Sequence, residues 1–93
     1  MKMTVTAALK ALRLALATGN VTFRKHAFDM IDADVNLNVD FVAEELAIAA
    51  ARGDVDHNRS VPGAFVAHGD IVLVSFVVRA PGVVVVTVFV LHH

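Results

Sequence analysis

Two apolar runs near the C-terminus, Ile71 to Val78 and Val83 to Leu91, limit what this chain can become. They are joined by Arg79-Ala80-Pro81-Gly82, and Pro-Gly is a turn dipeptide. Both runs are dense in β-branched residues, which favour strands. The pattern predicts a β-hairpin. Its second strand, VVVVTVFVL, has almost no polar alternation. A strand apolar on both faces is expected to be covered on both faces. The rest of the chain must supply that cover.

The same stretch is long enough to cross a bilayer, which takes about 20 residues. Its midpoint argues against a span. Arg79 and Pro81-Gly82 lie there, and an arginine at that depth costs about 2.5–3.5 kcal/mol on insertion scales. Near the N-terminus, Lys2 is followed by apolar positions that Lys10 and Arg13 interrupt, so the continuous core of a signal peptide is missing. The expectation is a single domain over residues 1–93 with no membrane association. The chain is 57% hydrophobic, against about 45–50% in ordinary soluble domains. It can close a core without staples, and it has no cysteine to make them. That excludes disulfides and thiolate metal sites and suits a reducing cytoplasm.

The residues before the hairpin read as helices. Val5, Leu9, Leu12 and Leu16 recur at helical spacing within a helix over 4–18. Thr4 or Thr6 caps it and Gly19 ends it. Lys10 and Arg13 share the opposite side. Thr22 is read as the N-cap of a second helix from Phe23 to about Asp34, with Phe23, Ala27, Met30 and Ile31 as its apolar stripe. His26 falls near the edge of that stripe. A third helix is expected over Val39 to Arg52, capped by Asn38 or Asp40 and closed by Gly53. Asp40, Glu44 and Glu45 favour its positive end. Asp54 to Gly63 is the most polar stretch and reads as a loop running into a short edge strand. Ala64 to His68 reads as a strand, with a tight turn at Gly69-Asp70. The fold class is therefore α+β, with two or three N-terminal helices packed on a C-terminal antiparallel sheet of three or four strands.

Net charge is −1, but it is unevenly spread. Residues 1–28 hold Lys2, Lys10, Arg13, Arg24 and Lys25 and no acid, whereas residues 29–56 hold eight acids against Arg52 alone. Such segregation presents a basic face able to meet phosphates and an acidic face able to meet a basic partner, or else the two blocks pair with each other. Arg24 and Lys25 at a helix N-terminus oppose the macrodipole, an arrangement an anion would relieve.

No phosphate loop, HExxH, GxSxG or calcium-loop pattern is present, so no cofactor is implied. His26, His57 and His68 have no recognised zinc spacing. What remains is a set of histidines and arginines. Metal-independent RNA cleavage needs such groups: one to take the 2′-OH proton, one to protonate the leaving oxygen, and cations to steady the phosphorane. Histidine suits the first two and arginine the third. His57 and Arg59 are two apart, so on an extended chain they project to one side. Each candidate also has a structural alternative. His26 fits a half-buried helix histidine bonded to Asp29 or a carbonyl. His57 and Arg59 fit solvated loop residues, His68 a surface residue, and Arg79 a turn-blunting charge. Ser75 and Thr87 are better placed for register and packing than for catalysis. His92 and His93 read as the start of a purification tag and are set aside.

The helix opening F-R-K-H-A-F-D-M-I (Phe23 to Ile31) resembles a bacterial domain family that opens with an H-A-x-x-R-M helix and closes with a strand like I-T-V-Y; Val86-Thr87-Val88-Phe89 stands at that end here. LRLALATGNV (Leu12 to Val21), LNVDF (Leu37 to Phe41) and GDIVLVSF (Gly69 to Phe76) are similar to MqsR-type mRNA interferases. Both families are associated with the RelE-like toxin fold, helices on an antiparallel sheet. The resemblance implies a small RNase toxin of a toxin–antitoxin pair, neutralised by an antitoxin-like protein. The matched functional position is His26. The family's arginine is Met30 here and its closing tyrosine is Phe89.

Two functions follow as expectations. The first is an endoribonuclease whose phosphates are held by Lys10, Arg13, Arg24 and Lys25. His26 and His57 are its acid–base groups, Arg59 stabilises the transition state, and His68 stands in reserve. The second is an inactive protein-interaction module of the same fold, an inhibitor, immunity or regulatory protein that pairs into a homodimer through its apolar sheet. Small-molecule binding has no supporting motif.

Overall fold

The computed structural model describes residues 3–91. The expectations for Lys2, His92 and His93 lie outside the described residues. In chain order the elements are α1 (Val5–Thr18), β1 (Val21–Phe23), α2 (Lys25–Asp32), α3 (Val39–Arg52), β2 (Val55–His57), β3 (Phe65–His68), β4 (Val72–Arg79) and β5 (Gly82–Val90). The strands form one five-stranded sheet in the order β1-β5-β4-β3-β2. No helix among the described residues is long and apolar enough to cross a membrane.

The first and third helices fall where the sequence places them. Thr4 Oγ1 accepts from Ala7 N–H and Asn38 Oδ1 from Phe41 N–H, each closing a helix start. Gly19 and Gly53 end them at φ 73° and 74°, in the left-handed region that glycine enters without strain. The second helix is a correction. Thr22 is not a cap, because Val21–Phe23 is a strand that pairs in parallel with β5, Val21 to Val83 and Phe23 to Val85. Valine, threonine and phenylalanine are strand formers, and the free edge of β5 offers them a ladder. Helix α2 therefore starts two residues later than expected, at Lys25, and its N-cap position, Arg24, has no side-chain cap bond. The sheet thus has five strands rather than three or four, and it is mixed rather than antiparallel.

The hairpin forms as its composition predicts, with β4 pairing antiparallel to β5 from Val72–Val90 to Arg79–Gly82. It carries one irregularity. Ser75 stands opposite Thr87 and Phe76 opposite Val85, so Val86 is an extra residue in β5. A bulge inverts the side-chain phase. Val83 and Val85 face one side before it, and Val88 and Val90 face that same side after it. The valine run without alternation is partly the signature of this phase change.

All three helices lie on one face. Ala8 and Leu12 of α1, Ala27 and Ile31 of α2, and Val42 and Leu46 of α3 join one buried cluster with Val72, Val74, Phe76, Val83, Val85 and Val88. Among the described residues, no helix lies on the other face. There Leu73, Val84, Val86 and Thr87 are half-buried and Phe89 is 51% exposed. The expected cover on both sides of β5 is therefore present on one side only. β5 does occupy an inner position, between β1 and β4.

Glu45 also departs from expectation. It is 3% exposed rather than part of an acidic surface. Its Oε1 accepts from the N–H groups of Ile71 and Val72 at 2.5 and 2.9 Å, satisfying two donors where the chain enters β4. A carboxylate receiving two backbone N–H bonds offsets much of its burial cost.

Candidate functional site

Cross-strand partners share a face, and residues two apart on a strand return to it. Two rows on the helix-free face follow from the register: Asp56–Val66–Ser75–Thr87 and, beside it, His68–Leu73–Phe89. Where the rows meet β2 and β3, a concavity of about 430 Å³ is lined by Asp56, His57, Arg59, Val66, His68 and Leu73. His68 Nε2 lies 3.6 Å from Asp56 Oδ2. That is an ion-pair distance when the imidazole is protonated, and it is too long for a hydrogen bond.

The neighbours of His57 and Arg59 are set by the loop between β2 and β3. Asn58 organises it. Its backbone N–H donates to Ala64 O, its Oδ1 accepts from Ser60 N–H and Val61 N–H, and its Nδ2 donates to Ser75 Oγ at 2.9 Å. This is an Asx turn anchored to the sheet. It holds Arg59 at the junction of two hollows, because a second one of about 310 Å³ is lined by His57, Asn58, Arg59, Pro62, Gly63 and Ala64. Ser75, 1% exposed, is buried beneath that anchor. His57 pairs with Phe65, and the two rings lie 5.1 Å apart. Its ring thus leans toward the helix side of the β2 edge, while His68 projects from the opposite face.

Arg59 and His68 therefore share one concavity, and His57 touches its edge with its ring on the opposite, helix side of the sheet. His26 does neither. It is exposed near the start of α2, a helix packed on β5, with β4 and β3 between β5 and β2. Those strand spacings put about 14 Å between β5 and β2. His26 is also not half-buried, and Asp29, its expected partner, is bonded by Lys25 Nζ at 3.0 Å.

The candidate phosphate-binding residues sit in the helical layer, across the sheet from the concavity. Lys10, Arg24 and Lys25 are exposed there. Arg13 is engaged: its Nε and Nη2 donate to Ala50 O at 3.0 and 2.8 Å, tying α1 to the last turn of α3. Arg52 is bound to Asp70 at 2.6 Å. That hydrogen bond and the accompanying charge hold its guanidinium above the ordinary arginine value. Among the described residues, no group of three or more His, Cys, Asp or Glu side chains is placed to hold a metal ion.

Sequence reasoning missed Asp56 and Asn58. Asp56 belongs to the site through the register of β2 on β3, which leaves no local trace. Asn58 did leave one, since Asn before Arg-Ser-Val-Pro-Gly is turn chemistry. Comparison with protein-family models, curated proteins and solved structures found no match.

Proposed function

We propose that this chain is a metal-independent RNA-cleaving domain acting at the β2–β3 concavity. The observation that carries the reading is the meeting of His68 and Arg59 at one concavity, with Asp56 beside His68. A histidine next to a carboxylate is placed to act as a base, and an arginine fork matches phosphate oxygens. His68, with Asp56 beside it, takes the 2′-OH proton. The 2′-oxygen attacks phosphorus and the bond to the 5′-oxygen breaks. His57, whose backbone borders the concavity, returns a proton to that leaving oxygen once its ring has turned away from Phe65. Arg59 holds the phosphorane charge. The products are a 2′,3′-cyclic phosphate and a 5′-hydroxyl, and neither metal nor cofactor enters the balance. Lys10, Arg24 and Lys25 are left to meet a flanking strand. The resemblance to toxin families adds a cytoplasmic toxin role and an antitoxin-like partner that masks the concavity.

Incubation with mixed RNA in EDTA tests this. Cleavage to cyclic-phosphate ends is expected. His68→Ala should lower the rate by about 100-fold or more, and His26→Ala should leave it unchanged. Absence of cleavage by the wild-type protein refutes the reading.

A second reading, a non-catalytic module that pairs as a homodimer through the helix-free face, is favoured by Ile71 at 48% and Phe89 at 51% exposure. Light scattering that stays monomeric at high concentration refutes it.

A further inference from the structure

We infer that Phe89 is a base-stacking platform that restricts the β2–β3 site to single-stranded RNA. The inference rests on the proposed cleavage reading for the position of the phosphate, and it adds the form of the substrate.

Phe89 is the aromatic ring for which the fold has no internal use. The chain has six phenylalanines. Phe23 and Phe28 pack as a tilted pair at 5.6 Å, with Phe28 42% exposed, and Phe65 and Phe76 as another at 5.8 Å. Phe41 packs against the core cluster. Phe89 instead stands 51% exposed on the helix-free face. It is on a paired strand, opposite Leu73, so its backbone is held and its exposure is not that of a loose loop.

Its position relative to the site is fixed by register. Phe89, Leu73 and His68 form one cross-strand row over β5, β4 and β3. Two strand spacings separate the row's ends, about 10 Å. Leu73 is itself part of the concavity's lining. Phe89 lies one strand beyond that lining, so the row runs from His68, the reacting end, across the apolar step of Leu73 to an open aromatic face. A nucleotide with its reacting ribose at His68 places a neighbouring base two strand spacings away, at that ring.

Stacking on an aromatic needs a base face free of its neighbours. Single strands offer one and duplexes hide theirs. The same ring gives no hydrogen-bond readout, so it selects strandedness and not sequence.

The absence of tryptophan and tyrosine from the chain supplies a direct probe. Phe89→Trp introduces the sole tryptophan at an exposed position the fold tolerates. The variant is titrated with a short 2′-O-methyl oligoribonucleotide, which cannot be cleaved because its 2′-oxygen is blocked. Saturable quenching that weakens with salt is expected, and the same strand annealed to its complement should give none. In cleavage assays, Phe89→Ala should raise KM for single-stranded RNA by about tenfold or more with kcat little changed, and Phe89→Trp should retain wild-type KM. Three results overturn the inference: wild-type cleavage with unresponsive tryptophan emission, equal quenching by duplex, or an emission change that follows protein concentration alone and so reports self-association. Quenching by the single strand without cleavage by the wild-type protein refutes the cleavage reading and leaves the platform standing.

Discussion

The two faces of the sheet are made by alternate residues of the same strands, yet they have opposite fates. On the helix side, Val74 and Phe76 of β4 and Val83, Val85 and Val88 of β5 are all 2% exposed or less. On the other side, Ser75 and Val77 of β4 are buried, but Leu73, Val84 and Val86 are half-buried and Phe89 is open. Composition does not separate them, since β5 is valine-rich on both. The separation comes from three helices that share one core on one face. The helix side holds the fold together. The open side carries the charged concavity and an apolar surface not spent on stability.

The largest test of that division is Phe76→Ala against Phe89→Ala. Truncating the buried ring should cost about 3–5 kcal/mol, and truncating the exposed one about 0.5 kcal/mol or less, read from urea midpoints at constant m-value. Equal losses would mean the open face is covered in solution, and the contrast would collapse.

Next comes the closure of the sheet's far edge. A Cβ on Gly82 would overlap Asn20 O, where β1 and β5 close together. Gly82→Ala must push those backbones apart, at about 1–3 kcal/mol. Hydrogen exchange should show loss of protection centred on β1. Protection retained there would show that β1 is not held by this approach.

Glu45 sharpens the comparison from the buried side. Glu45→Ala strands the N–H groups of Ile71 and Val72 and should cost about 1–3 kcal/mol. Glu45→Gln keeps an acceptor and should cost less. If the two variants unfold at the same denaturant concentration, the hydrogen bonds are not what the carboxylate contributes.

The smallest effect belongs to the exposed ion pair of Lys25 and Asp29, with side chains 90% and 59% exposed. Lys25→Ala should change stability by about 0.5 kcal/mol or less, and a larger shift in thermal midpoint would give α2 a role beyond the surface.

How much of this was legible follows from how local each cause is. Helices α1 and α3 could be read because caps, apolar spacing and terminal glycines all lie within a few residues of each other. The hairpin could be read from its turn and its valines. β1 could not: Val21-Thr22-Phe23 is three residues long, and its partner, Val83 to Val85, is some sixty positions away in sequence. Thr22 looked like a cap because nothing local distinguishes an N-cap threonine from a strand threonine. The site was less legible. The two-residue spacing of His57 and Arg59 does not put them on one side, because the turn at Asn58 breaks the extended chain between them. The approach of His68 to Asp56, and the exclusion of His26, depend on strand order.

The sequence by itself determined that this chain forms amphipathic helices followed by an apolar hairpin, with no cysteine chemistry and no cofactor motif. Backbone preference and hydrophobic period act over a few residues, so they are written locally. Only the tertiary structure decided that a fifth strand joins in parallel, that a bulge at Val86 turns the valine run over, and that one sheet face stays open. These outcomes are set by which distant segments bury surface together, and a strand apolar on both faces does not say which face the helices will take.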